Sequence, residues 1–272
     1  MNIHFIAIGG AIMHQLAIAL KNKGNIITGS DDEINNPAKD NLAKENLLPQ
    51  DNGWFPEKIT NNIDAIILGM HAKADNPELL QAQALNIPIY SFPEYIYEVS
   101  KDKLRVVVAG SHGKTTTTSM IMHALRINGL DFDYMVGAKV AGFDQSVRLS
   151  NAPIIILEGD EYPASVIEKR PKIHFYKPNI SILTGIAWDH VNVFPTYDNY
   201  FHQFELYLKE FTSKDTLIYC AEDKEVQRLI ENPEWVAQKQ AYTTPSFTIV
   251  DSHSAIEYQG KQHFSPVNFF GG

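Results

Sequence analysis

The residues best suited to chemistry in this 272-residue chain lie in the run VVVAGSHGKTTTTSM, residues 106–120. Gly110 and Gly113 let the backbone bend close to a ligand, Lys114 supplies a positive charge, and Thr115 follows with a hydroxyl. A nucleoside triphosphate needs such a set: backbone N–H groups converging on its phosphates, a lysine near the β/γ-phosphates and a hydroxyl for Mg²⁺. The longer loop G-x-x-x-x-G-K-[ST] would require a glycine five residues before Gly113, where Val108 stands. Residues 106–109 read as a short buried parallel strand ended by glycine, and 116–127 as a helix whose N-terminus faces the loop. Four consecutive threonines are a poor helix start by propensity, a cost that makes sense if their hydroxyls have a ligand to meet. The alternative is a plain strand–turn–helix connection with a surface lysine.

Two further strands run into charged residues. IIILEGDEY carries an apolar strand, 154–157, into Glu158, and the carboxyl end of a strand beside a phosphate loop is where Mg²⁺ is usually met. Asp160 and Glu161 add charge, though one of them could simply cap the next turn. ISILTGIAWDHVNVFP ends a strand, 180–183, before Asp189 and His190. A lone histidine often only packs or faces solvent. Here it follows a strand expected on the same sheet edge as Lys114 and Glu158, which favours a metal or phosphate ligand.

These groups need a scaffold, and the alternating pattern supplies one. Strands are expected at 3–8, 26–28, 65–68 and 87–90, with a helix over 11–23 ended by Gly24 and another started by Pro77 behind an Asn76 cap. This is an α/β chain with parallel, doubly wound sheets, and SKDK at 100–103 marks a boundary between residues 1–100 and 101–272. The first turn departs from G-x-G-x-x-G: the three places hold Ala7, Gly9 and Ile12, with Gly10 extra. A helix N-terminus there could hold a diphosphate, or the turn could be purely structural. Asp31, at the end of the second strand, is placed to meet a ribose hydroxyl, unless it is one more turn acid.

Composition bounds the partners. Against 23 basic residues stand 32 acidic ones, a net charge of −9, which argues against general nucleic-acid binding but not against an anionic small ligand met by local lysines and a metal. The single cysteine, Cys220, excludes an intramolecular disulfide and fits a reducing compartment. The N-terminus has no basic region before its apolar run, which is broken by glycines, His14 and Gln15, so neither a signal peptide nor a membrane span is expected. The expected location is the cytoplasm.

Taken as a set, these motifs resemble the Mur ligase family. GSHGKTTTTSM is similar to its shorter loop G-T-[HN]-G-K-T-T, which lacks the distant first glycine. IHFIAIGGAIM resembles the family's UDP-binding start IHFIGIGGAGM, with Ala7 and Ile12 in place of two glycines, and DNPEL, IYSFPEYIYE, EGDE and WDH follow in family order. The resemblance implies a Rossmann-like UDP-sugar-binding domain over 1–100 and a central ATP-binding domain over 101–272. It implies that Gly9, Gly10, Ala11, Asp31 and the His71 loop hold the nucleotide sugar, and that Gly110, Ser111, His112, Gly113, Lys114, Thr115 and Thr116 hold ATP. One Mg²⁺ would be held by Thr115 and Glu158 and a second by His190, with Lys114, Glu158 and His190 as the catalytic set. The implied reaction joins UDP-N-acetylmuramate to a murein peptide or to L-alanine through an acyl phosphate, releasing ADP and phosphate. No protein partner is implied.

Within the family, EGDEYPASVIEKRPKIHFYKP matches the murein peptide ligase at Tyr162, Lys169, Arg170, Tyr176 and Pro178, and departs from it at Pro163. The alanine-adding ligase is the nearest alternative. Folate and cyanophycin-type ligases share the ATPase block but lack the HFIAIGG start. Where some Mur ligases carry a carbamylated lysine, this chain has Glu205. The sequence given ends at SPVNFFGG, before the family's F-G-x-H-N adenine contact and its third domain. That leads us to expect nucleotide-sugar binding without ligation from these 272 residues, and leaves a non-catalytic binding module as a further reading.

Overall fold

The computed structural model describes residues 1–250, 253–258 and 260–265. Phe270 and Gly271, which match the start of the family's F-G-x-H-N, lie outside the described residues. The first part runs β1 (Asn2–Ile6), α1 (Ala11–Asn22), β2 (Ile26–Ser30), α2 (Ala38–Lys44), β3 (Ala65–Leu68), α3 (Pro77–Ala84), β4 (Ile89–Ser91) and α4 (Phe92–Ser100). Its four strands form a parallel sheet in the order β2-β1-β3-β4. β1 stops at Ile6, two residues earlier than the hydrophobic run suggests, because Ala7 turns into the left-handed region at φ +66°. Asn76 caps α3 as expected, its side chain accepting from the Glu78 and Leu79 amides. α4 opens with a capping box in which Ser91 and Glu94 satisfy each other's amides, a device worth about 1 kcal/mol. That box sets Phe92 at the start of the helix.

The second part runs β5 (Leu104–Ala109), α5 (Lys114–Ile127), β6 (Asp133–Met135), β7 (Val147–Arg148), β8 (Ile154–Glu158), β9 (Ile180–Leu183), α6 (Tyr197–Lys209), β10 (Thr216–Cys220), α7 (Lys224–Ile230) and β11 (Gln238–Tyr242). These strands form one sheet in the order β11-β10-β9-β5-β8-β6-β7, parallel except for the antiparallel edge strand β7. β12 (Phe247–Val250), β13 (His253–Tyr258) and β14 (Lys261–Ser265) form a separate antiparallel sheet. Among the described residues no helix is long and apolar enough to cross a membrane.

An apolar cluster joins the two parallel sheets. Phe5, Leu16 and Ile96 of the first part are buried in the same cluster as Val107, Leu157 and Tyr176 of the second. Each such side chain contributes roughly 1.5–3 kcal/mol on burial, so the seam between the sheets is part of the hydrophobic core. The order β9-β5-β8 decides the chemistry. It lays the loops after three strands, far apart in sequence, side by side at one carboxyl edge, the usual ligand edge of an open parallel sheet.

Candidate active site

The loop after β5 is built on two glycines with positive φ, Gly110 at +119° and Gly113 at +78°. A side chain at Gly110 would meet the Gly185 carbonyl oxygen at 2.8 Å and its amide at 3.0 Å, so only glycine lets this loop pack on the loop after β9. Gly113 is the N-cap of α5 and makes no side-chain cap, which leaves the first amides of a 14-residue helix aimed at the loop. α5 begins at Lys114, two residues before the start suggested by the threonine run. Ser111 is buried: its hydroxyl contacts the Tyr200 hydroxyl at 2.7 Å and accepts from the Ala187 amide at 2.8 Å. His112 and Thr116 are exposed, and the His112 carbonyl accepts from the Thr184 hydroxyl at 2.6 Å.

Lys114 folds back over this loop. Its Nζ donates to the Gly110 carbonyl at 2.6 Å and to Glu161 at 3.0 and 3.1 Å. Glu161 is wholly buried, and burial pushes its carboxyl up to about 7 although Lys114 pulls it down. Thr115 donates its hydroxyl to Glu158 at 2.9 Å, and the Gly137 amide donates to the other oxygen of Glu158 at 3.1 Å. Gly137 is small for the same reason: a Cβ there would stand 3.1 Å from Glu158.

His190 completes the edge from the loop after β9. It holds a left-handed backbone at φ +57°, fixed by the Asp189 carboxylate accepting its amide at 2.7 Å and by its own carbonyl accepting from Val193 and Phe194. Its ring lies 4.3 Å from that of Tyr162, and its Nε2 is 3.9 Å from Glu161. Asp160, Glu161 and His190 each turn a ligand atom to within 4.8 Å of the others. Burial works to raise the Asp160 carboxyl, but Lys172 at 2.6 Å, the Tyr162 amide and Lys114 bring it below its ordinary value.

Lys114, Glu158 and His190 thus share one cleft of about 340 Å³, whose wall also takes Ile12 and Phe92 from the first part. The two expected metal positions are distinct: Thr115 pairs with Glu158, whereas His190 faces Glu161 and Asp160. Glu205 is not among the residues that line this cleft. It pairs with His202 at 2.7 Å on the exposed side of α6.

A second cleft, about 420 Å³, lies at the carboxyl edge of the first sheet and gathers Gly9, Gly10, Ala11, Asp31 and His71. Gly10 caps α1 without a side-chain bond, leaving amides free toward this cleft. Asp31 is buried and accepts from the Gly9 amide at 2.7 Å, so its carboxylate braces the turn. Burial raises its pKa above the ordinary carboxylate value. Ile12, the other departure from the glycine pattern, lines the first cleft instead.

Two family models match this chain. The one described as "Mur ligase middle domain" matches residues 108–269, more than half of the chain, and "Mur ligase family, catalytic domain" matches residues 2–103. The chain belongs to the Mur ligase family. Among Mur ligase relatives, a UDP-N-acetylmuramate–L-alanine ligase of Clostridium kluyveri is 32% identical over 235 residues, covering 85% of this chain and 49% of the relative. The UDP-N-acetylmuramate–L-alanyl-γ-D-glutamyl-meso-2,6-diaminoheptandioate ligase of Haemophilus influenzae is 26% identical over 267 residues, covering 96% and 59%. The chain spans about half the length of the curated relatives it matches. Its fold is that of a murein-peptide ligase structure from Neisseria meningitides, with a TM-score of 0.87 over 99% of this chain and 88% of the other at 24% identity.

Several residues of this Mur ligase site were only partly visible in the sequence. Glu161 was seen as one of two extra acids, without its pairing to Lys114. Tyr200 anchors Ser111 from 89 positions away, and no local pattern marks it. Tyr176 matched a family motif and Lys172 was not singled out; the place of both in the cleft wall comes from the turn that carries them.

Proposed function

We propose that this chain carries the nucleotide-sugar and ATP sites of a ligase that joins UDP-N-acetylmuramate to a murein peptide. Residues 1–100 form the sugar-nucleotide part and 101–272 the ATP part. One observation carries the reading: the Lys114, Glu158 and His190 cleft opens against Ile12 and Phe92 of the first part, so a ligand anchored near Gly9 and Gly10 has a route to the phosphate loop.

In this reading the loop amides and Lys114 take the β- and γ-phosphates, and Lys114 exchanges Glu161 for phosphate oxygens. The Thr115 and Glu158 oxygens, 2.9 Å apart, suit a hard divalent cation such as Mg²⁺, and His190 with Asp160 and Glu161 offers a second, mixed nitrogen–oxygen set. Bound cations there would screen the approach of two anions, which repel by about 4 kcal/mol at 4 Å and an effective dielectric of 20. A carboxylate oxygen of the sugar acid forms a bond to the γ-phosphorus as the bond to ADP breaks. The amine then bonds to the acyl carbon, phosphate leaves, and the nitrogen gives up a proton.

The amine is the open choice. Tyr162, Lys169, Arg170 and Tyr176 favour the murein peptide. L-alanine is the second reading, favoured by the name of the Clostridium kluyveri relative. Incubation with ATP, Mg²⁺, UDP-N-acetylmuramate and hydroxylamine should trap the acyl phosphate as a hydroxamate, with ADP released in equal amount. Competition between L-alanine and the tripeptide, in a version of the protein that carries the family's third domain, would then select the amine. Absence of both nucleotide and nucleotide-sugar binding would reject the proposal.

A further inference from the structure

Two side chains in the cleft wall have no part in the nucleotide sites described above. Lys172 starts the short 3₁₀ turn Lys172–Phe175, and Tyr176 is the residue that ends it. Both line the cleft that holds Lys114, Glu158 and His190. The Tyr176 side chain is wholly buried, yet its hydroxyl has no hydrogen-bond partner. Its ring packs in the apolar seam, and the residue also lines the cleft that holds Asp160 and Glu158, whose charges act on this phenol. A buried hydroxyl without a partner is costly and needs an explanation, and a ligand that completes it is one.

Lys172 stands beside it with capacity to spare. An ammonium offers three donors, and among the described residues its one hydrogen-bond partner is Asp160 at 2.6 Å. Its Nζ lies 5.3 Å from the centre of the Phe92 ring and 5.9 Å from that of Tyr162. Phe92 comes from the first sheet's end of the chain, so the ammonium sits at the junction of the two parts. A phenol O–H and an ammonium both donate, so the complementary ligand group offers acceptor oxygens and, beside a lysine, a negative charge. Asp160 does not block this, because a shared ammonium can serve two carboxylates.

We propose that Lys172 and Tyr176 together receive the carboxylate borne by the sugar of the nucleotide-sugar substrate and hold it at the junction of the two sheets. The inference rests on the function proposed above. It assigns the recognition of the acid to the turn 172–176, separately from the phosphate loop and from the first-sheet cleft that takes the nucleotide.

Calorimetry with two probes tests it. UDP-N-acetylmuramate and UDP-N-acetylglucosamine share the nucleotide and the acetamido sugar, and only the first carries the acid. Wild-type protein should prefer the first. Tyr176→Phe and Lys172→Met should each reduce that preference by about tenfold or more, the expected weight of a hydrogen bond to a charged group. UDP-N-acetylglucosamine affinity should stay unchanged in both variants, and ATP affinity should stay unchanged in Tyr176→Phe, which leaves the Lys172–Asp160 pair intact. Tyr176→Phe should not lower the melting temperature, since the hydroxyl it removes has no partner in the free protein; a purely structural tyrosine would not alter ligand preference. If Lys172→Met fails to fold, Lys172→Arg and Tyr176→Phe still decide the matter. Variants that keep the full preference overturn the inference while leaving the functional reading intact. Variants that lose both probes equally overturn the carboxylate assignment in favour of an acetamido contact. A wild-type protein that shows no preference overturns the functional reading and the inference with it.

Discussion

Lys114 and Glu161 form an ion pair at 3.0 Å in which the carboxylate is wholly buried and the ammonium is 14% exposed. The pair holds the loop lysine over its own carbonyls when no phosphate is present. On the function proposed above, nucleotide binding would exchange one anionic partner for another instead of ordering a free lysine from solvent. Such pre-positioning lowers the entropy that binding must overcome.

Lys114→Ala should weaken ATP binding by tenfold or more and leave UDP-sugar binding nearly unchanged, because the nucleotide-sugar cleft shares no residue with the loop. Calorimetry with both ligands reads this directly. Unchanged ATP affinity would remove the phosphate-loop assignment, and equal loss of both ligands would point to unfolding.

Glu158→Gln isolates charge from contact. Glutamine keeps one acceptor oxygen for the Gly137 amide, and its NH2 can donate to the Thr115 hydroxyl, so the local structure should persist. Nucleotide affinity in the presence of Mg²⁺ should then fall much further than affinity in its absence. An intact Mg²⁺ enhancement would shift the ligand role to Asp160 or Glu161.

Glu161 should leave a mark on stability against pH. Its folded-state value, about 7, lies above the ordinary 4.5 because burial disfavours the charged form. Between those values the folded state binds the extra proton, so stability should decrease as pH rises from 4.5 to 7, by up to about 3 kcal/mol. Asp160, held below its ordinary value, acts in the other direction and only in more acidic solution, where its stabilisation is lost as pH falls. Denaturant unfolding of wild type and Glu161→Gln across this range should show the slope in the first and its absence in the second. Parallel profiles would mean that Glu161 titrates normally.

Local signals in the sequence determined the strand-to-helix units and the identity of the groups at their ends. The apolar run before Gly110, the Asn76-Pro77 start of α3 and the acids and histidine following β8 and β9 are written in neighbouring residues, and they fold as neighbours. The departure at position 7 was also legible, and its outcome, an alanine in the left-handed region, follows from the geometry that glycine would otherwise supply. β11 was not legible: its five residues, QKQAY, are all exposed and carry no alternation, so pairing with β10 alone makes them a strand. The partnerships of the site were likewise beyond the sequence. Lys114 and Glu161 are 47 positions apart, and Asp31 reaches Gly9 across 22. Whether an acid after one strand meets a lysine after another depends on which strands are adjacent. Strand order is a property of the whole sheet, set by long-range pairing and by the packing of helices on its faces. Only the order β9-β5-β8 made Glu161 the partner of Lys114 and Glu158 the partner of Thr115, and only the seam between the sheets brought Phe92 and Tyr176 into the wall of the same cleft.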